Sequence, residues 1–402
     1  MTTVRLVLLL SSMACASSGS QPGAAALREE SLPAALRAGS HEVVLNGARH
    51  YYRVGGVARD GVPPVLFLHG GPGQGSAHFD ALVGPLMERE LRMVYFDQRG
   101  SGHSERPASG DYALSTLVED IEALRRTLGV TKLALVGHSF GGLLGLEYAA
   151  KYPQHVSHLV FVAGLWDTRL QCRLRLERLA SLRPEAYAKV RGDTLAQDGT
   201  RRSDCELEFR ALPGEEREAF NTQMMFPDPS VSARMDSVNA ARNVRNTGEL
   251  SRALFRGGLL QYRFTRQNRL TMPVLVIAGK HDGAAGPAGL RELAHTLPNA
   301  RFVEYERSGH FVYLDESDRF ARDVAAFILP RARTGAVPTA VPNGNTKPAG
   351  ELRDARLLQP ARQAMGMGET YDFELTPEGP RDLRIEVRSQ ASLYARVPVR
   401  VE

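Results

Sequence analysis

A serine set among glycines, in Gly137-His138-Ser139-Phe140-Gly141-Gly142, is the first place in this chain where residue types and spacing could do chemistry. A serine hydroxyl is a poor nucleophile at neutral pH. It needs an imidazole to take its proton and a carboxylate to hold that imidazole in the right tautomer. Both are present further along, His310 in Ser308-Gly-His-Phe311 and Asp282 in Gly279-Lys-His-Asp282. Each of the three follows a β-like run, and the chain order Ser, Asp, His is the one expected when the serine sits on a strand-to-helix elbow. The reading is Ser139 as nucleophile, His310 as general base and Asp282 as the residue that orients it. The chemistry is transfer of an acyl group to water through an acyl-enzyme.

The neighbouring polar residues have other readings. Asp167, after the preceding strand, is a rival for the carboxylate, and His281 reads as a loop histidine. His69 and His138 flank the site within glycine motifs and read as structural hydrogen-bonders. An oxyanion hole needs two backbone N–H groups aimed at one point. Phe140, directly after the nucleophile, supplies one, and Gly71 of His69-Gly-Gly-Pro-Gly73 supplies the other, with Gly70 as the alternative. No H-x-x-x-H or C-x-x-C spacing occurs, so neither a metal nor a cofactor is expected.

The elements that must position these groups show as short apolar runs: 65–68, 93–96, 132–136, 159–162, 274–277 and 301–305. They alternate with helix-period segments, and most are apolar on consecutive residues, as in a parallel sheet covered on both faces. A hairpin over 41–46 and 50–54, turning at Asn46-Gly47, opens the sheet. Leu117, Ile121, Leu124 and Leu128 share one face of a helix, for which Thr116 and Glu119 make a capping box. Phe320, Val324, Phe327 and Ile328 do the same for the last core helix. Between Leu165 and Phe264 the alternation stops and the chain becomes arginine-rich, helix-prone and broken by prolines, which reads as a cap inserted between two strands.

The boundaries that follow are 1–16, an export signal; 17–39, a linker; 40–164 and 266–332, the two parts of the core; 165–265, the cap; 333–350, a second linker; and 351–402, a β-rich appendage. Arg5, the apolar run Leu6–Leu10 and the small residues after it have the order of an export signal, and the run is too short to span a bilayer. Ala14-Cys15-Ala16 fits a cleavage site, and equally a lipidated Cys15 that would anchor the protein to a membrane. Of 402 residues, 43% are hydrophobic and 24% charged, with a net charge of +5. The arginines are scattered among acids, which argues against a nucleic-acid partner; the partner expected is a small-molecule or short-peptide substrate. Cys172 and Cys205 could pair in an oxidising compartment. Sequence alone does not bring their Cα atoms within bonding distance, and free thiols are the expectation.

Three motifs together resemble the proline iminopeptidase branch of the α/β hydrolases: His69-Gly-Gly-Pro-Gly73, Asp97-Gln-Arg-Gly-Ser-Gly-His-Ser104 and Gly137-His-Ser-Phe-Gly-Gly142. The likeness spans roughly 40–330. It implies an α/β hydrolase fold, with a mostly parallel sheet of about eight strands and a helical cap. The implied activity is release of an N-terminal residue, often proline, from a short peptide, with Ser139, Asp282 and His310 at the family's triad positions. Such enzymes would hold the substrate amine with cap carboxylates; Glu206, Glu208, Glu215 and Glu216 are candidates here, against a plain solvated acidic stretch. Esterases, amidases and lactonases share these loops, so an esterase or lactonase is the alternative, and a non-catalytic receptor on the same scaffold a more distant one. The appendage resembles a fragment of a multicopper-oxidase cupredoxin domain. With no His or Cys after His310 it has no copper ligand set, and it reads as a copper-free β surface.

Overall fold

The computed structural model describes residues 4–7, 26–197, 201–244, 247–330, 372–375, 382–389 and 392–400. The chain divides into two units, Pro22–Thr334 and a second formed by Met1–Gln21 with Gly335–Glu402. In the second, Val4–Val7 pairs antiparallel with Asp372–Leu375, and Asp382–Ser389 pairs antiparallel with Ser392–Arg400. Cys15, where cleavage or lipidation is expected, and the linker 333–350 lie outside the described residues.

The larger unit is built on an eight-stranded sheet. Its strands are β1 (Gly39–Leu45), β2 (Ala48–Gly56), β3 (Val65–Leu68), β4 (Arg92–Phe96), β5 (Leu133–His138), β6 (Val156–Val162), β7 (Val274–Gly279) and β8 (Ala300–Tyr305). They lie in the order β1-β2-β4-β3-β5-β6-β7-β8, antiparallel at the first two pairings and parallel from β4 onward. Consecutive apolar residues in β3 and β5 are buried on both faces. Leu66, Leu68 and Leu135 join one core, and Val65, Phe67 and Val136 the other. The β1–β2 turn has positive φ at both Asn46 (44°) and Gly47 (80°), as a two-residue hairpin of the right twist requires.

The helix over Leu114–Thr127 buries Leu117, Ile121 and Leu124, with Leu128 buried just past its end. The capping box expected at Thr116 is absent, because the helix already begins at Leu114. Asp111 organises that entry, accepting from the Ala113 N–H (2.9 Å) and the Thr116 hydroxyl (2.8 Å). Glu119 is drawn instead to Lys151 and Tyr152.

Between β6 and β7 the chain leaves the sheet and forms helices. The ones that matter below are α1 (Thr168–Leu182), α2 (Asp204–Ala211), α3 (Gly214–Met225) and α4 (Pro229–Ala241). Leu176, Leu179, Leu207, Leu212, Phe220 and Met224 close a small apolar cluster of their own. Contrary to the expectation of free thiols, Cys172 of α1 and Cys205 of α2 form a disulfide. The packing of the two helices brings their Cα atoms to 4.9 Å, a proximity that spacing along the chain does not encode.

Candidate active site

Ser139 stands between the end of β5 and the helix Phe140–Lys151, with φ 53° and ψ −117°, a conformation that L-residues rarely adopt. Its N–H donates to the Val162 carbonyl (3.0 Å), and its own carbonyl accepts from Gly142 (2.9 Å) and Leu165 (3.1 Å). The flanking glycines are obligatory for steric reasons. A Cβ on Gly141 would land on the Leu68 carbonyl, and one on Gly137 on the Gly141 carbonyl.

The loop after β7 carries Asp282 and the loop after β8 carries His310; both side chains are buried. His310 Nδ1 donates to Asp282 Oδ2 at 3.0 Å, while Oδ1 of the same carboxylate accepts from the N–H groups of Ala284 (2.8 Å) and Ala285 (2.9 Å). With every carboxylate oxygen engaged, the aspartate is fixed and the Nδ1–H tautomer is selected, leaving Nε2 as the basic nitrogen. The rival Asp167 is committed elsewhere, as the cap of α1, where it accepts from Leu170 N–H (3.0 Å), and in an ion pair with Arg263.

The glycine loop after β3 closes on the elbow. A Cβ on Gly70 would sit 3.0 Å from Ser139 Cβ and 2.9 Å from His138 Nδ1. Gly71 has φ 114° and is joined to Pro72 by a cis peptide. Among the described residues, the N–H groups of Gly71 and Phe140 have no protein acceptor.

The two motif histidines are buried, and burial lowers the pKa of both; for His138 the neighbouring His310 adds to the effect. His69 Nε2 accepts from the Gln98 N–H (3.1 Å), and the Gln98 side chain donates to the His69 carbonyl (2.9 Å), binding the glycine loop to the Asp97 turn. Burial alone would raise Asp97, yet hydrogen bonds from His103 and from the Ser76 and His103 amides hold it below the usual carboxylate range.

Sequence reasoning did not anticipate how the cap grips this site. The carbonyls of Met224 and Met225, at the end of α3, accept from Gly283 N–H (2.8 Å) and His310 N–H (2.9 Å), immediately beside Asp282 and at His310 itself. Phe226 stacks on Phe311 with ring centroids 4.8 Å apart. No motif signals the two carbonyl contacts, which are made by backbone. Of the cap acids singled out, Glu206 caps α2 by accepting from Ser203 N–H (2.8 Å), and Glu208 is buried against Arg175. Glu215 and Glu216 occupy the first turn of α3.

A serine on a strand-to-helix elbow, with an acid–imidazole pair on the loops after two later parallel strands, defines a hydrolase architecture of the α/β type. The family model described as alpha/beta hydrolase fold matches residues 63–317, and the chain belongs to that family. A proline iminopeptidase of Lactobacillus delbrueckii subsp. lactis is 28% identical over 287 residues, covering 69% of this chain and 94% of the relative. The crystal structure of a proline iminopeptidase-related protein from Thermus thermophilus superposes with a TM-score of 0.59 at 26% identity, over 73% of this chain and 99% of that one. An enol-lactonase from Burkholderia xenovorans LB400 shares the fold, with a TM-score of 0.50 at 23% identity, over 71% and 99% of the two chains.

Proposed function

We propose that this hydrolase is a prolyl aminopeptidase-like serine peptidase releasing N-terminal residues from short peptides, with Ser139, His310 and Asp282 as its triad. The observation that carries the chemistry is the Asp282–His310 hydrogen bond of 3.0 Å, with Asp282 held by two further N–H groups. His310 Nε2 takes the Ser139 proton as the hydroxyl attacks the scissile carbonyl. The N–H groups of Phe140 and Gly71 receive the oxyanion, and imidazolium returns the proton to the leaving amine. His310 then deprotonates water, which releases the acyl group from Ser139. The peptide class rests on the named relatives.

One observation favours an ester or lactone substrate instead. Glu206 and Glu208, two of the carboxylates that would hold a substrate amine, are committed to a helix cap and to an ion pair. The disulfide in the cap supports an exported protein in an oxidising compartment. Assays of the mature protein on proline arylamide and on short-chain nitrophenyl esters separate the substrate classes. Arylamide turnover is expected; ester turnover without it removes the peptidase. A fluorophosphonate should label the protein and should not label Ser139→Ala, and a folded protein that takes no label is a receptor rather than an enzyme.

A further inference from the structure

Behind His310 lies a file of buried polar side chains that the mechanism does not use. His138 Nε2 is 3.0 Å from the His310 carbonyl oxygen, the Tyr313 hydroxyl is 3.4 Å from His138 Nδ1, and His78 Nε2 is 3.0 Å from the same hydroxyl. His78, His138 and Tyr313 are essentially without solvent contact. The amide of Asn239, on cap helix α4, neighbours the His78 ring. Two atoms at this last junction, His78 Nδ1 and Asn239 Oδ1, are buried without a partner.

The direction of every bond in the file follows from its fixed end. A carbonyl oxygen only accepts, so His138 carries its proton on Nε2 and its Nδ1 is a bare acceptor. The one nearby donor for that nitrogen is the Tyr313 O–H. Having given its only proton away, Tyr313 must accept from His78, which therefore carries its proton on Nε2 and presents a bare Nδ1. That nitrogen requires a donor. Turning the Asn239 amide so that its N–H faces the ring supplies one and leaves His78 Nδ1 no longer orphaned. Burial keeps both imidazoles neutral, His78 being pushed down to about 3 and His138 well below its ordinary value, as the file demands.

We propose that Asn239, His78 and Tyr313 are positioning residues, forming a one-way hydrogen-bond relay that ties the cap to the backbone of His310. The inference rests on His310 being the base. Its backbone is then held on both sides of the Cα, the N–H by Met225 of the cap and the carbonyl, through His138, by a relay that also begins on the cap. A shift of the cap would move the imidazole relative to Ser139, where small displacements cost much rate.

Polarity is the property that a merely packed cluster lacks, and Asn239→Asp tests it with little change of shape. A carboxylate can only accept, so His78 should move its proton to Nδ1 and accept the Tyr313 O–H at a bare Nε2, stranding His138 Nδ1. In histidine-labelled protein, nitrogen NMR should find the Nε2–H tautomer at both His78 and His138, and Nδ1–H at His78 in the variant. Both Asn239→Asp and Tyr313→Phe should lower kcat about tenfold with KM unchanged, and the double variant should be no worse than Tyr313→Phe alone. An Nδ1–H His78 in the unmodified protein, an unchanged His78 in Asn239→Asp, or additive losses would each overturn the relay. If Ser139 takes no fluorophosphonate, the hydrolase reading fails by itself, and the tautomers still decide the relay.

Discussion

Two buried arginine–carboxylate pairs, one under the sheet and one in the cap, show how differently the two regions are held. Arg99 and Asp120 are 2% and 1% exposed, and join through both guanidinium forks at 2.6 and 2.7 Å. Asn46 and His50 add bonds to the same carboxylate, so every lone pair has a partner. Arg175 and Glu208 are more open, at 17% and 6%, and the one further bond goes from Arg175 to Asn221 Oδ1, among the described residues. Beside them runs the Cys172–Cys205 bond, displaced by three residues on each helix, so a covalent and an ionic tie join α1 to α2 in register. The core holds its polar groups by satisfying them within a large apolar volume, whereas the cap, with its small cluster, relies on a staple.

The contrast is sharpest for glycine. Gly141→Ala should leave the protein unfolded or destabilised by more than about 4 kcal/mol, because the new methyl meets Leu68 backbone that the sheet does not let move. Gly192→Ala in the cap has nothing within 4 Å of its Cβ and should be neutral. Denaturant melts of the two variants check the pair; equal effects would erase the distinction.

Acid should attack the core next. His69, His78 and His138 have folded pKa values below the ordinary 6.5, so unfolding takes up protons as pH falls under that value. Each then removes about 1.4 kcal/mol per pH unit until its folded pKa is reached, which for His78 is about 3. His103, raised by its bond to Asp97, works in the opposite sense: its contribution is full below 6.5 and fades as pH climbs through the raised value. Stability measured from pH 7 to 5 should therefore fall, and His78→Gln should flatten the slope.

Cutting the ion pairs should follow. Asp120→Ala leaves Arg99 charged and buried, at a cost of about 3–5 kcal/mol; Glu208→Ala should cost less, since Arg175 reaches water. Replacing both cap cysteines by serine reopens a loop with a sequence separation of 33 and should cost about 3 kcal/mol. Hydrogen exchange should then show α1 and α2 opening while the sheet stays protected. Protection lost equally from β5 would mean that cap and core unfold as one.

Legibility in the sequence follows the same division. The sheet was readable because its strands are apolar on consecutive residues, and the elbow because only glycine fits at Gly137 and Gly141. Asp282 and His310 could be singled out as candidates because parallel strands deliver their following loops to one edge. The cap contacts could not be read, since Met224 and Met225 act through carbonyls that any residue would offer. Nor could the disulfide, which depends on how two helices pack, or the polar file, whose His78 and Tyr313 are 235 residues apart. Thr116 shows local pattern misleading outright, with Asp111 doing the work that the capping motif promised.

The smallest effect tests whether the cap's acids are structural. Ser203 accepts from the Glu206 N–H (3.3 Å) and Glu206 from the Ser203 N–H (2.8 Å), a reciprocal box that satisfies two donors at the start of α2. Ser203→Ala should cost about 1 kcal/mol and leave turnover unchanged. Glu206→Gln retains an acceptor for the Ser203 N–H but no charge, so it should cost still less and spare KM for an amine-bearing substrate. A rise in KM confined to such substrates would instead make Glu206 part of the binding surface, and the cap's acids would then divide between holding a helix and holding a ligand.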